Sequence, residues 1–183
     1  FAVTFQISLY LQFIKGMSPR TAGMVLMIQP VMMTLFSTPA GRLSDRLEPR
    51  LLASSGMGIT ALGLAVFVLL GRQTPVWLVT ANLALLGFGF ALFSSPNMSA
   101  IMGSVERRQY GLASGTVATM RLLGQMCSMT LATIFLSIFI GRQPIRPENY
   151  AHFLTSMHAC FVLFVLLCTA GIGFSLLRGS LRQ

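Results

Sequence analysis

The dominant pattern in this sequence is a series of long apolar stretches separated by short polar ones. A helix that spans a bilayer needs about 20 mostly apolar residues, because the hydrocarbon core is about 30 Å thick and a helix rises about 1.5 Å per residue. The first apolar stretch is shorter than that, and the later ones reach it. The pattern predicts six hydrophobic helices, over 1–14, 21–40, 51–70, 75–102, 111–140 and 152–177.

The connections between these stretches are short and polar, which indicates that consecutive helices run antiparallel. Strands are excluded, because backbone groups in lipid are satisfied only in helices or closed barrels, and the stretches do not alternate as barrel strands do. We therefore predict an all-α integral membrane fold, a bundle of six transmembrane helices. The first stretch is short and starts at Phe1 rather than Met, so we expect its helix to be truncated.

Composition supports a membrane protein over a soluble one. Hydrophobic residues make up 54% of the 183 residues and charged residues only 9%, against about 25% charged in soluble domains. The net charge of +9 comes from basic residues in short clusters between apolar stretches, which is the positive-inside pattern rather than a nucleic-acid footprint. We expect a lipid bilayer as a partner and no nucleic acid. The alternate connections hold seven and five basic residues, which favours a cytoplasmic C-terminus.

Strongly polar side chains are unevenly distributed among the predicted helices. The third and sixth helices contain no amide and no charge, whereas the other four do. Such groups are costly in lipid, so we predict a watery cavity facing the first, second, fourth and fifth helices. The alternative is that so few residues are distributed this way by chance. The residues are Gln6, Gln12, Gln29, Asn82, Asn97, Arg121 and Gln125.

The fifth helix gives the sharpest signal. Ser114, Ala118, Arg121, Gln125 and Ser128 recur at helical spacing and so share one face. Arg121 lies about ten residues from the helix start, where a guanidinium is expected to face a cavity or a carboxylate. The alternative is an arginine whose long side chain reaches the phosphate layer.

No pattern indicates catalysis, a cofactor or a metal. All carboxylates lie in connections, and we find no nucleophile, acid pair or phosphate-binding loop. The cysteines lie in apolar stretches without ligand spacing, so we expect them to be small hydrophobic residues. We predict that the protein is not an enzyme. The carboxylates are Asp45, Glu48, Glu106 and Glu148, and the cysteines are Cys127, Cys160 and Cys168.

The connection 41–50 resembles the signature loop of the major facilitator superfamily, which lies between helices 2 and 3 and recurs in weaker form between helices 8 and 9. Glu48 and Pro49 depart from the pattern, as suits the weaker copy. Tyr10-Leu11-Gln12, Ser95-Pro96-Asn97 and the stretches 110–115 and 120–125 are similar to the fourteen-helix drug:proton antiporter branch. The matching signature residues are Gly41, Leu43, Ser44, Asp45, Arg46 and Arg50.

The resemblance implies the C-terminal six-helix half of a secondary active transporter. Such a protein exports small amphipathic molecules or drugs by alternating access and is coupled to protons. The implied partners are an N-terminal half, a small-molecule substrate and a coupling proton, in the plasma membrane (the inner membrane of a prokaryote). Because no acid lies within the apolar stretches, the proton-carrying carboxylate is expected in the other half.

The resemblance and the polar pattern together give the candidate residues. Those expected to line the substrate cavity are Arg121, Gln125, Asn97, Gln29, Gln6 and Tyr10. Those expected to form a cytoplasmic gating loop are Gly41, Arg42, Asp45, Arg46 and Arg50.

Three alternatives stay open at this point. An uptake carrier could use Arg121 to bind the carboxylate of an organic anion or metabolite. The chain could instead be a truncated membrane protein that transports nothing. The segment 41–50 could be a plain solvated turn whose charges only set the orientation.

Overall fold

The computed structural model describes residues 1–141 and 143–177, and the regular secondary structure of that part is helical throughout. The predicted all-α bundle is confirmed. The elements are α1 (Ala2–Leu9) with a π-helical turn (Tyr10–Ile14), α2 (Pro19–Leu26), α3 (Ile28–Arg46), α4 (Pro49–Val68), α5 (Val76–Gly103), α6 (Tyr110–Ile140) and α7 (Tyr150–Leu177). Short 3-10 turns, Arg107–Gln109 and Pro147–Asn149, precede α6 and α7.

Several of these helical stretches are long and apolar enough to cross a bilayer. They are Pro19–Ser44, Leu51–Val68, Val76–Gly103, Arg107–Ile140 and Pro147–Ser175. The first stretch, Ala2–Ile14, is apolar but shorter. The chain is therefore a multi-pass membrane protein.

The second membrane pass consists of α2 and α3, which meet at Met27. Ser18 caps the start of α2, where its hydroxyl accepts a hydrogen bond from the Thr21 N–H at 3.3 Å, and Pro19 occupies the first helical position. Pro30 has no N–H to donate to the Leu26 carbonyl. The interruption of the helix between Leu26 and Ile28 follows from that lost hydrogen bond.

The segment 41–50 is mostly helical rather than a loop, contrary to our expectation. The last turns of α3 contain Gly41 to Arg46, and only Leu47 and Glu48 separate α3 from α4. Pro49 explains the short connection: it is favoured at the first position of a helix and forces the preceding residue to be extended.

The helices pack in a defined order. α5 lies against both α3 and α4, α4 packs on α7, and α7 packs on α6, which also contacts α1. Glycines allow the α4–α5 approach, because a Cβ added to Gly56 would lie 2.6 Å from the Phe93 nitrogen and 2.7 Å from the Gly89 carbonyl oxygen. Close helix packing through small residues is the usual solution in membranes.

One face of α4 is apolar and open. Leu51, Leu62 and Leu69 recur on that face and are 54%, 60% and 82% exposed. The opposite face is buried against α5 and α7, with Leu64 and Phe67 in the main core. An apolar exposed face is what contact with lipid acyl chains requires.

Candidate functional site

The predicted polar face of the fifth helix lies on α6, which is the most open helix of the bundle. Among its described residues only Ala132 and Ile140 are buried. Ser114, Ala118 and Arg121 are exposed, and Gln125 is half-buried. This face of α6 is therefore available to a cavity or to another part of the protein.

Arg121 is the charged group of this face. It is the twelfth residue of α6, which places it about 16 Å along the helix at about 1.5 Å per residue. Its neighbour one turn on, Gln125, offers an amide, and the Ser128 hydroxyl donates to the Gln125 carbonyl oxygen at 2.8 Å. The arrangement provides one cation and one amide that can bind an anionic or polar group.

Gln29 and Asn97 belong to a second group, on the α3–α5 pair. Both side chains are half-buried. The Gln29 backbone lies directly against α5, because its carbonyl occupies the space that a side chain at Gly87 would need. Contacts between α5 and α6 are few. The structure therefore places Gln29 and Asn97 on the α3–α5 pair, apart from Arg121 and Gln125 on α6.

Gln6 and Tyr10 occupy a different environment from the one we expected. Both are completely buried within the described residues. The Tyr10 hydroxyl donates a 2.7 Å hydrogen bond to the carbonyl of Gly71, in the α4–α5 connection. Gln6 lies beside the Cys160 thiol of α7, and neither of its amide atoms meets hydrogen-bond geometry with a partner. In this arrangement both side chains point into the half-bundle.

The predicted gating residues lie at the α3–α4 end of the bundle. Arg42 is exposed and Gly41 is half-buried, with Ser95 of α5 close to it: a Cβ on Gly41 would lie 3.0 Å from the Ser95 hydroxyl. The side chains of Asp45, Arg46 and Arg50 lie outside the described part of the structure. The gating role of this segment stays a prediction.

A polar cluster that we did not predict surrounds the α4–α5 connection. Three successive carbonyls accept hydrogen bonds there from separate parts of the chain. His158 of α7 contacts the Leu70 carbonyl at 2.7 Å, Tyr10 contacts Gly71, and the Lys15 ammonium donates to the Arg72 carbonyl at 2.6 Å. Every residue has a backbone carbonyl, so these acceptors leave no trace in the sequence. The polar donors near the helix ends are the one feature from which this cluster could have been predicted.

Asn82 has a structural role, because it links two helices. Its amide nitrogen donates a 2.8 Å hydrogen bond to the Gly63 carbonyl and so joins α5 to α4. An apolar cavity of about 330 Å³ lies nearby between α1, α4, α5, α6 and α7, and Thr60, Phe90 and Ser128 are among its lining residues. Over residues 1–141 and 143–177 no three His, Cys, Asp or Glu side chains are grouped as metal ligands.

Comparison with known proteins gives consistent matches. The chain is 33% identical to the riboflavin transporter RibZ of Clostridioides difficile over 77% of its own length and 30% of that protein's. It is 32% identical to the uncharacterized transporter YebQ of Escherichia coli, over 89% of the chain and 34% of that protein. It is 28% identical to the multidrug efflux pump LfrA of Mycolicibacterium smegmatis, over 74% and 27% respectively.

The chain thus spans about a third of the length of the curated relatives it matches. No solved structure gives a significant match. The profile of the Major Facilitator Superfamily matches residues 1–181, nearly the whole chain. Together with the helical membrane bundle, this match shows that the chain belongs to the Major Facilitator Superfamily of transporters.

Proposed function

We propose that this chain is the C-terminal half of a proton-coupled exporter of small amphipathic molecules, which works by alternating access. The observation that carries the proposal is the open face of α6, on which Arg121 is exposed within a membrane-length helix. A guanidinium is costly against acyl chains and is stabilised by a watery cavity. The remaining two thirds of a relative's length leave room for a second half that closes this cavity.

The cavity surface from this half would have two walls. Arg121 and Gln125 on α6 form one, and Gln29 with Asn97 on the α3–α5 pair forms the other. Gln6 and Tyr10 would join the lining only after the first helix moves, because both are buried in the described arrangement. Arg121 would orient the polar end of a substrate, while the apolar residues around it on α6 bind the rest.

The gate is proposed at the α3–α4 end, where Gly41, Arg42, Asp45, Arg46 and Arg50 lie in sequence. The charges of this segment would form different ion pairs when the transporter is open to the inside and when it is open to the outside. Alternating access requires two such stable states. The coupling proton would be carried by the other half, since this sequence has no carboxylate within its apolar segments. With the C-terminus in the cytoplasm of a prokaryotic cell, the gate would face the cytoplasm.

Export of organic cations and drugs is favoured by the names of several relatives. Besides LfrA, the chain is 38% identical over 60% of its length to the methyl viologen resistance protein SmvA of Salmonella typhimurium. It also matches a tetracycline resistance determinant of Streptomyces rimosus at 27% identity. Amphipathic compounds of this kind suit a cavity that combines apolar walls with a few amides.

The test is transport by the full-length protein in proteoliposomes with an imposed pH gradient. Arg121→Ala should lower transport of tetracycline about tenfold or more. Arg121→Lys should restore part of that transport, because lysine keeps the charge but lacks the planar guanidinium. Arg108→Ala, which removes an exposed arginine of the 3-10 turn before α6, is the matched control and should transport normally. Normal transport by both Arg121 variants would remove the residue from the mechanism.

A second candidate function is an uptake carrier for an organic anion or metabolite. It is favoured by the 33% identity to a riboflavin transporter and by the exposed cation at Arg121, which can bind a carboxylate in a bidentate manner. Competition separates the two candidates. Anionic compounds should block transport by an uptake carrier, whereas organic cations should block the exporter.

A further inference from the structure

The first helix contains an irregular turn that the proposed transport cycle does not explain. α1 passes into a π turn at Tyr10–Ile14, in which the Lys15 N–H bonds to the Tyr10 carbonyl at 3.2 Å, five residues back. π turns within α-helices are rare and concentrate at functional positions. This one lies in the helix that buries Gln6 and Tyr10.

The π turn places Tyr10 and Lys15 on one side of the helix. In a regular α-helix with about 3.6 residues per turn, residues five apart point about 140° away from each other. Here the Tyr10 hydroxyl reaches the Gly71 carbonyl and the Lys15 ammonium reaches the Arg72 carbonyl. The Lys15 nitrogen also lies 5.8 Å from the centre of the Tyr10 ring. An α-helical register would allow only one of these two hydrogen bonds to the α4–α5 connection.

The same register leaves Gln6 in a poor environment. Its side chain is completely buried, it lies beside Cys160, and both amide atoms are without hydrogen-bond partners in good geometry. A thiol is a weak hydrogen-bond partner, so the buried amide beside Cys160 stays poorly satisfied, and turning α1 away from α7 would relieve that cost. The two tethers at the end of the helix oppose such a turn. The first helix is therefore held in place at one end and destabilised in its middle.

We propose that the π turn is a register switch of the first helix. In the second register the Lys15 N–H pairs with the Leu11 carbonyl, and α1 turns by about 100° and advances by about 1.5 Å relative to Lys15. The turn breaks the Tyr10–Gly71 hydrogen bond and moves Gln6 off Cys160. This inference rests on the proposed function, because the switch decides whether Gln6 and Tyr10 belong to the transport cavity.

Disulfide crosslinking tests the register without measuring transport. Ala2 and Cys160 belong to one small buried cluster between α1, α6 and α7. In the full-length protein in membranes, with Cys127 and Cys168 replaced by Ala, the variant Ala2→Cys should form a disulfide with Cys160.

Deleting Phe13, an exposed residue of the π turn, puts Lys15 four residues after Tyr10, so an ordinary α turn keeps their pairing and α1 cannot switch. In the second register Leu11 takes the place of Tyr10, so Val3 takes the place of Ala2, and the variant Val3→Cys should crosslink to Cys160 instead. The deletion should leave crosslinking at position 2 unchanged and lower crosslinking at position 3 about tenfold or more, since a disulfide requires Cα atoms within about 7 Å.

Two controls make the result specific. Phe13→Ala removes the same side chain while keeping the extra residue of the π turn, so at both positions it should crosslink like the chain with Phe13. A second pair, Ser54→Cys with Ser175→Cys in a background without other cysteines, joins α4 to α7, where the two hydroxyls lie 2.9 Å apart. That pair should crosslink with or without Phe13. Absence of crosslinking between positions 3 and 160 in the undeleted chain, or crosslinking there that the deletion does not change, would overturn the proposal.

A locking experiment on the undeleted chain tests whether transport uses the switch. Oxidising the Ala2→Cys variant should slow methyl viologen transport about tenfold or more, because the disulfide holds α1 against α7, and a reductant should restore it. The parent with Ala2 should be insensitive to both treatments. Equal transport by the oxidised and reduced variant contradicts the switch. Absence of transport by the parent contradicts the proposed function instead, and the crosslinking arm still decides the register.

Discussion

Asn82 and Gly63 form a direct link between α5 and α4, in which the Asn82 amide nitrogen donates a 2.8 Å hydrogen bond to the Gly63 carbonyl. The contact is buried, and the approach is close: a Cβ on Gly63 would lie 2.8 Å from a Leu86 methyl carbon. An amide that looks like a cavity residue in the sequence thus holds two helices together.

Replacing Asn82 should destabilise the bundle modestly. We expect Asn82→Leu to lower the free energy of unfolding by about 0.6 kcal/mol, and by no more than about 1.7 kcal/mol, which is the range for hydrogen bonds between membrane helices. Thermal unfolding in detergent measures this. The control is Thr80→Val on the same helix, because the Thr80 hydroxyl donates to the Val76 carbonyl within α5 rather than to a neighbouring helix. A Thr80→Val loss equal to that of Asn82→Leu would contradict the interhelical role.

The glycines of α4 should respond differently to the same substitution. Gly56→Ala places a Cβ 2.6 Å from the Phe93 nitrogen, and such overpacking costs about 1–3 kcal/mol. At Gly58 nothing lies within 4 Å of an added Cβ, so Gly58→Ala should be neutral or stabilising by about 0.5–1 kcal/mol through helix propensity. The melting temperature should therefore fall for Gly56→Ala and should stay the same or rise for Gly58→Ala. If both rise, α4 and α5 are not in close contact.

The Tyr10–Gly71 hydrogen bond should be measurable as stability. Tyr10→Phe keeps the buried ring and removes the donor, so we expect a loss of about 0.5–1.5 kcal/mol. Tyr110→Phe, at an exposed position that begins α6, is the matched control and should unfold at the parent temperature. A Tyr10→Phe variant as stable as the parent would show that the tether contributes nothing.

The end of α6 depends on a backbone conformation that favours glycine. Gly141 has φ of 69° and ψ of −136°, and a side chain there adds about 1–3 kcal/mol of strain. We expect Gly141→Ala to lower the unfolding temperature even though no atom lies within 4 Å of its Cβ position. Gly115→Ala, in an equally open position within α6, should not lower it. Equal behaviour of the two variants would contradict this assignment of the helix end.

Apolar patterning predicted the membrane helices well, because the thickness of the bilayer fixes their length and lipid excludes other backbone structure. The segment 41–50 was harder to predict. Its charges suggested a loop, but helical hydrogen bonds continue through Arg46 until Pro49 starts the next helix. Clustered charges indicate where the chain reaches the membrane surface, but they do not by themselves end a helix.

The rotation of each helix about its axis was only partly predictable. Arg121 is exposed on α6, but so are the apolar residues beside it, Met120 and Leu122, so its cavity role stays a prediction. Gln6 and Tyr10 are buried instead, Gln6 beside Cys160 of α7 and Tyr10 with its hydroxyl on the Gly71 carbonyl. A single amide and a phenol cannot show which neighbouring helix they will face. That depends on contacts between residues far apart in sequence.

The length of α6 has a consequence for its arginine. The helix contains 31 residues and is therefore about 46 Å long, longer than a hydrocarbon core of about 30 Å. Such a mismatch is absorbed by tilting or by helical turns that project into the headgroups. If each end of an upright α6 projects equally, Arg121 lies only about 8 Å below the acyl boundary. At that depth its charge is held at lower cost than at the bilayer centre, and a ligand entering from this face meets the cation early.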